Sequence, residues 1–500
     1  MKHLKDLIKQ VDFGDIDGLY DPKLVENYMD FGHSDQIVNK NIFFVLGRKG
    51  TGKSALYSYI QKIQGDKGIL VSNLSFKNFP FEKLLELTDD NFSKPNQYQS
   101  IWRNIILSEY AKLIVTDQSC PHDDIFKELK KYVDYVFGTD LIDLHKKVTK
   151  SAEKRGREIG FSKNFLSFGS SKEILHEKEF VESFDNISRI NERLEYLICT
   201  YLKLNGSTQY IIQFDQLDDN YNVYVNNQPY FQSLISLFKT IYDLNQTFRS
   251  QNIDTKTVAY LRSDIFYAIN AFDAESARWD QYKLSLNWAI INRTDWIKPK
   301  LRTIINRRIE NSVDVGHNGE PFSLIFNSDK LGLKENDKIV KPFKYMIHRS
   351  FHRPRDIIQF CLKIQQQVET TNSYYFRTIK EAEKEYSLWL LSELENEIAP
   401  IIRNTEALYE LLRLMGQRFY SMTDFKHRYN KFSKDIDLEP EELLKFLYSL
   451  GIVLNVNPRK NMTEIYSIIR NDRSVFNRDI MITTHPGFYN GLYVSKFLKR

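Results

Sequence analysis

The feature that most constrains this chain is the stretch Gly47-Arg48-Lys49-Gly50-Thr51-Gly52-Lys53-Ser54, set between two runs of different periodicity. Before it, residues 41–46 read NIFFVL, a short apolar run rich in strand formers. After it, from Ala55, ALYSYIQKI spaces its apolar residues as a helix does. Strand, glycine-rich loop and helix around G-x-x-x-x-G-K-S predict a phosphate-binding loop at the head of an α/β domain. Gly47, Gly50 and Gly52 allow backbone angles that side chains forbid. Such a loop turns its N–H groups inward on a phosphate, at the positive end of the following helix. Lys53 is then the residue to neutralise the β- and γ-phosphates, and Ser54 offers its hydroxyl to Mg²⁺. The alternative, a glycine turn that happens to precede a lysine, explains neither flanking run.

A loop of this kind needs a second strand ending in an acid to complete the metal shell. Residues 209–214 read QYIIQF and are followed by Asp215-Gln216-Leu217-Asp218-Asp219, which puts Asp215 at the strand end. Asp218 or Asp219 is placed to orient an attacking water, or belongs to an ordinary acidic loop. A third strand, residues 257–261 (TVAYL), leads into Arg262-Ser263-Asp264. If that strand lies beside the loop strand, Arg262 sits where it can sense phosphate or stabilise charge; the alternative pairs it with Asp264 or Asp273. Further on, Phe351-His352-Arg353-Pro354-Arg355-Asp356 opens an apolar-periodic helix, with proline in its first turn. Arg353 and Arg355 either reach a nucleotide from a second domain or remain on the surface beside a helix cap.

The chain has 500 residues, 42% of them hydrophobic and 14% aromatic. That is enough for about three domains with sizeable cores, and it excludes a disordered body. Cys120, Cys199 and Cys361 are too scattered for a zinc site or disulfide framework, as expected of a reducing cytosol. In their apolar helical runs, Cys199 and Cys361 read as buried thiols. The first residues lack the apolar core of a signal peptide, and no apolar run approaches the roughly 20 residues of a membrane span. The expectation is a soluble, cytoplasmic protein. Net charge is +5, and residues 457–500 alone carry eight Lys or Arg against three acids. A second basic run, residues 146–163, holds seven bases against Glu153 and Glu158. Either cluster is a candidate DNA contact or simply a solvated face.

Four regions are expected. Residues 1–40 form an N-terminal segment with one helix begun at Asp21-Pro22. Residues 41–310 form the α/β core, with a helical insertion at about 98–204. Its predicted helices are 98–117, 125–136, 141–155 and 179–204, with a hairpin at 156–171 whose Phe161, Phe165, Phe168 and Lys163 either touch a partner or pack on the insertion. A helix over 295–310 ends in Arg307-Arg308, either an arginine finger reaching a neighbouring subunit's nucleotide or a basic helix end favoured by the dipole. Residues 311–400 form an all-helical lid closed by a long helix over 375–399. Residues 401–500 carry three short helices (406–415, 422–429, 439–450) and two strands (452–456, 464–469) around a basic turn with Arg459 and Lys460, a winged-helix pattern. No internal repeat is present.

Taken in order, GRKGTGKSAL, YIIQFDQLDD, VAYLRSDIF and HRPRDIIQFC resemble a bacterial group of P-loop ATPases near the STAND and origin-recognition-like AAA+ proteins. The resemblance spans about residues 41–362. It implies an ASCE-type parallel sheet, a helical lid and a C-terminal winged helix, with ATP and Mg²⁺ bound. By it, Gly47 to Ser54 with Ala55 are Walker A, Asp215 is Walker B, Arg262 is a sensor-1-type arginine, Pro354 lines the adenine side, and Arg355 is the lid arginine. One departure stands out. Where AAA+ proteins carry a glutamate after the Walker B aspartate, this chain has Gln216, which cannot act as a base; either Asp218 does that work or turnover is slow. The resemblance implies an ATP-driven switch or assembly ATPase that self-associates or engages a protein effector, with antiviral defence as its biology. The second reading is a DNA-binding loader or initiator, and the third, weaker one is a phosphotransferase, for which no acceptor-site motif exists.

Overall fold

The structure is a computed structural model that describes residues 4–77, 96–137, 184–206, 208–217, 228–270, 274–292, 294–314, 319–327, 331, 334–335, 338–339, 341–417, 419–459 and 463–494. Asp218, Asp219, Asp273, Lys460, the helix expected at 141–155, the hairpin at 156–171 and the basic run 146–163 lie outside the described residues. The chain divides into two compact units. One comprises residues 31–47 and 56–285; the other comprises 1–30, 48–55 and 286–500.

The first unit is built on a five-stranded parallel sheet: β1 (Phe44–Leu46), β2 (Ile69–Ser75), β3 (Gln209–Asp215), β4 (Lys256–Leu261) and β5 (Lys283–Ser285). Their order is β2-β3-β4-β1-β5. β1 and β4 are buried along their whole length, and β3 in all but its first residue. Strands covered on both faces read as unbroken apolar runs, and for that reason the sequence betrayed them. The order has a consequence. From β1 the chain leads across β4 and β3 to β2, whereas from β4 it leads across β1 to β5. Right-handed crossovers in opposite directions put the following helices on opposite faces, which opens a crevice at the carboxyl ends of β1 and β4.

Helices Gln99–Thr116 and Gln228–Ser250 pack on this sheet, and Asp124–Phe137 and Phe184–Asn205 pack on the first of them. Trp102 is fully buried, and its Nε1 donates to the Ser233 carbonyl at 2.9 Å. The Tyr110 hydroxyl meets Thr257 Oγ1 at 2.8 Å, tying the first of these helices to β4. Asn245 exchanges two 2.8 Å hydrogen bonds with the Thr257 backbone, fixing helix Gln228–Ser250. Cys120 and Cys199 are buried in this unit and Cys361 in the other; all three are free thiols.

The second unit is mostly helical. Where one N-terminal helix was expected, the described residues of 1–40 hold short helices at Leu4–Gln10, Leu24–Asn27 and His33–Asn39, the last belonging to the first unit. Asp21-Pro22 does precede a helix, but four residues end it. The helix expected over 295–310 runs instead from Lys300 to Ser312, after Pro299 at its N-cap. Pro354–Thr371 and Phe376–Ile398 form a packed pair. After them come helices Thr405–Met415, Met422–Tyr429 and Pro440–Ser449, the second capped by reciprocal Ser421 and Asp424 bonds. Strands Val453–Pro458, Thr463–Tyr466 and Met481–Thr484 then form an antiparallel sheet with the first strand in the middle. Of the basic residues expected on its turn, Arg459 pairs with Glu464 at 3.0 Å; elsewhere in the basic 457–500 stretch, Arg478 lies 3.6 Å from Glu441. No described helix is long and apolar enough to cross a membrane.

The C-terminal piece is seated on the long helix by Ser387, whose hydroxyl donates to the Gly487 carbonyl at 2.6 Å and accepts from the Gly491 N–H at 2.7 Å. His485 stacks edge-on against Phe351 at 5.1 Å. Burial pushes its pKa from the ordinary 6.5 down to about 3, with His352, His348 and Arg349 adding to the effect. A depressed folded value means that the unfolded chain takes up the proton first as pH falls. The contribution of His485 is therefore complete above pH 6.5 and is lost on the way down to about 3. Urea unfolding at about pH 5 should show stability lower by on the order of 2 kcal/mol from this residue, relative to neutral pH. His485→Gln should flatten that dependence; an unchanged pH profile in the variant counts against it.

Candidate functional site

In the second unit the predicted loop and the predicted lid helix meet. Gly50 and Gly52 adopt left-handed φ values of 81° and 92°, which L side chains rarely tolerate. A Cβ on Gly50 would come within 3.2 Å of Arg355 Cβ, whereas a Cβ on Gly52 would meet nothing within 4 Å. The loop thus packs on the helix start at Gly50 and leaves space beside Gly52. It also closes on itself: Thr51 N and Oγ1 both donate to the Arg48 carbonyl, at 3.2 and 2.8 Å. Lys53, at 9% exposure, donates from Nζ to that same carbonyl at 3.3 Å. Trp288 Nε1 donates to the Thr51 carbonyl at 2.9 Å.

The start of helix Pro354–Thr371 supplies the opposing side, with Pro354 at its first position as the sequence indicates. The Arg355 N–H reaches the Gly50 carbonyl at 3.4 Å. Arg355 Nη1 pairs with Glu393 at 3.2 Å, and Lys49 Nζ donates to the Glu393 carbonyl at 3.0 Å. Arg353 is not on the surface. At 4% exposure it forms a bidentate pair with Asp356, and its Nη1 donates to the Lys49 carbonyl at 2.8 Å. The Arg48 guanidinium stands 6.0 Å from the Phe351 ring centre, and that of Arg353 stands at 4.9 Å.

Between these elements lies a cavity with about 830 Å³ of empty space, its solvent mouth included. Gly50 to Ala55 line it on one side, and Pro354, Arg355 and Trp288 on another. Residues 15–18 and 27–29 and Arg308 complete the wall. The sequence reading missed these last groups and Trp288. Gly14 and Gly18 were the available signal, since paired glycines in a short loop mark close backbone approach. Arg308 does not fit a finger reaching a neighbouring subunit. It is 7% exposed, donates from Nη1 to the Phe13 carbonyl, and lies 3.7 Å from Asp21. Arg307 is tied by Nε to the Glu26 carbonyl at 3.0 Å.

In the first unit, Asp215 ends β3 at 2% exposure and Arg262 follows β4. β4 does lie beside β1, with Leu46 in register with Leu261, and the Gly47 N–H donates to the Leu261 carbonyl at 3.3 Å. Both residues therefore sit at the carboxyl ends of strands, Arg262 at the crevice that the strand order creates and Asp215 on the neighbouring strand. Burial, and after it the Asp215 charge, raises the pKa of Tyr57. Arg262 makes two contacts to Asp264, at 2.6 and 3.1 Å. Gln216 has a left-handed φ of 60°, and its Oε1 accepts from Ser75 Oγ on the neighbouring strand. Among the described residues no group of three or more His, Cys, Asp or Glu is placed to hold a metal on its own.

Comparison with known proteins adds three likenesses. Residues 299–395, about a fifth of the chain, match the family model described as FunZ-associated C-terminal helical domain. The match covers the described helices from Lys300 to the long Phe376–Ile398. A protein of Escherichia coli (strain K12), an 80.3 kDa protein attributed to transposon gamma-delta, is 21% identical over 530 aligned positions, covering 97% of this chain and 67% of that protein. The crystal structure of Cdc6p from Pyrobaculum aerophilum aligns with 95% of this chain and 96% of its own at 11% identity, with a TM-score of 0.32. Over nearly its whole length, then, this chain is similar to the E. coli protein at low identity, and over residues 299–395 it is also similar to the FunZ-associated domain.

Proposed function

We propose that this chain is an ATP-binding switch with slow hydrolysis. One observation carries the reading. Lys53 and Ser54 of a G-x-x-x-x-G-K-S loop, and Pro354 and Arg355 of a helix distant in sequence, line the same cavity. The residues fit a Mg²⁺-bound nucleoside triphosphate: the open space beside Gly52 leaves room for a phosphate, and the buried Lys53 supplies its countercharge. Mg²⁺·ATP brings a phosphoanhydride whose hydrolysis would reset the switch. In this reading the loop amides and Lys53 Nζ hold the phosphates, Ser54 offers its hydroxyl to the metal, Pro354 flanks the base and Arg355 answers to the phosphate charge. Asp215 and Arg262 are assigned the metal-side and charge-sensing roles from their motifs alone. Gln216 cannot take a proton from water, so Asp218 would orient it, and turnover would be slow.

The three helices and three-stranded sheet after residue 404 support a winged-helix module that presents itself to a protein partner or a second copy. DNA loading is the second reading, favoured by the relative attributed to a transposon. Steeply salt-dependent DNA affinity would support it, although Arg459 and Arg478 already face carboxylates.

Titration of the wild-type chain with ATP, ADP and adenosine in the presence of Mg²⁺ tests the main reading. Both phosphorylated ligands should bind roughly tenfold or more tighter than adenosine. Equal affinity for all three, or no binding, would overturn it.

A further inference from the structure

Residues 12–29 form a wall of the cavity that no phosphate-loop motif calls for. This segment has little core of its own: its one helix, Leu24–Asn27, is four residues long. Side chains of the helix Lys300–Ser312 hold it instead. Asn311 Nδ2 donates to the Glu26 carbonyl at 2.7 Å, Arg307 to the same carbonyl, and Ser312 Oγ accepts from the Asp12 N–H at 2.9 Å. At the centre of this seam sits Arg308, buried, with one nitrogen bonded to Phe13 O and facing the buried carboxylate of Asp21.

The backbone is shaped around that guanidinium. Gly14 has φ of 68°, and a Cβ there would fall 2.2 Å from Arg308 Nη1. At the far end, a Cβ on Gly18 would fall 2.5 Å from that of Ala55, the residue after Ser54. The segment therefore lies directly on the start of the helix that follows the phosphate loop, and Ile16 and Asp17 line the same cavity as Lys53.

Resting on the nucleotide-binding reading above, we infer that Arg308 is a positioning residue that latches residues 12–29 over the nucleotide, so that release requires this strap to lift. A buried pair is held only while both charges are present; removing one leaves the other without compensation in a low-dielectric site. Losing the guanidinium frees the strap and leaves the loop and Lys53 as they are.

The test is a chase of fluorescent ATP from wild type and Arg308→Met, with hydrogen–deuterium exchange over residues 12–29. In wild type, ATP should slow exchange in this segment. In Arg308→Met, dissociation should be about tenfold or more faster with little change in association, and the ATP-dependent protection should vanish. A defect that only lowers stability would raise exchange equally with and without ATP, and would sink the latch. So would dissociation within about twofold of wild type. If Arg308→Met does not fold, Gly18→Ala lifts the other end of the strap against Ala55, leaves the ion pair intact, and should also speed release; an unchanged rate there overturns the proposal. A wild-type chain that binds no ATP fails the underlying reading instead, a result told apart from these by the first titration.

Discussion

Lys53→Ala should cost at least about 100-fold in ATP affinity while leaving the fold as stable as before. In the closed loop, Lys53 is buried, and one of its contacts is a 3.3 Å bond from Nζ to the Arg48 carbonyl, a modest interaction. Against a triphosphate the same ammonium makes charge-assisted bonds to ionised oxygens, each worth about 1.5–3 kcal/mol. Two such bonds, at about 3 kcal/mol or more together, correspond to a 100-fold change or larger. Removing the ammonium also relieves the desolvation of a buried cation, so urea unfolding of the free protein should show no loss. Calorimetric titration of the variant with Mg²⁺·ATP gives the affinity. An affinity within threefold of wild type would mean that phosphate is bound elsewhere, and with it would go the assignment of the whole loop.

Arg353→Met is expected to give the largest loss of stability of any single change at this site, about 3–5 kcal/mol. The physical reason lies in Asp356. That carboxylate is fully buried, receives Arg353 through bonds of 2.6 and 3.0 Å, and also accepts the Phe351 N–H at 2.9 Å. Burial works against the Arg353 cation, yet the Asp356 carboxylate beside it carries its pKa above the usual arginine range. Without Arg353 the carboxylate remains in a dry site with one backbone donor. The double change Arg353→Met with Asp356→Leu should recover most of the loss, since it removes both charges. Denaturant unfolding of the two variants decides the matter: equal losses in single and double variants would show that the pair is not the source. The Lys49 carbonyl also loses its donor, so ATP affinity should fall in the single variant and stay low in the double one.

The three central strands were legible because they are buried nearly throughout, whereas Ile69–Ser75 and Lys283–Ser285 at the sheet's edges, only partly buried, were not read. Residues 209–214 and 257–261 could hardly be anything else once the runs are seen, and the structure extends each by one residue. The helix start marked by proline at Pro354 was equally plain, whereas the start after Pro299 was placed several residues too early. What escaped was everything set by long-range packing. Nothing local says that Arg353 is buried and Arg355 half-exposed, because the two differ only in which turn faces Asp356. Arg308 looked like a basic helix end; its burial depends on Phe13 and Asp21, nearly three hundred residues earlier. Trp288 gave no motif, since a single indole bonding one carbonyl has no sequence spacing. The glycines at 14 and 18 were visible, but their meaning depends on partners in other elements.

The placement of the three thiols makes the chain its own probe of integrity. Each lies beneath the surface of the native fold, and burial raises all three toward the protonated form, Cys199 to about 12. A thiolate reagent therefore meets almost nothing reactive until part of the protein opens. Two of these groups report on the sheet-bearing half and one on the helical half. The order in which they become labelled records, without any engineered tag, which half gives way first under heat, acid or loss of nucleotide.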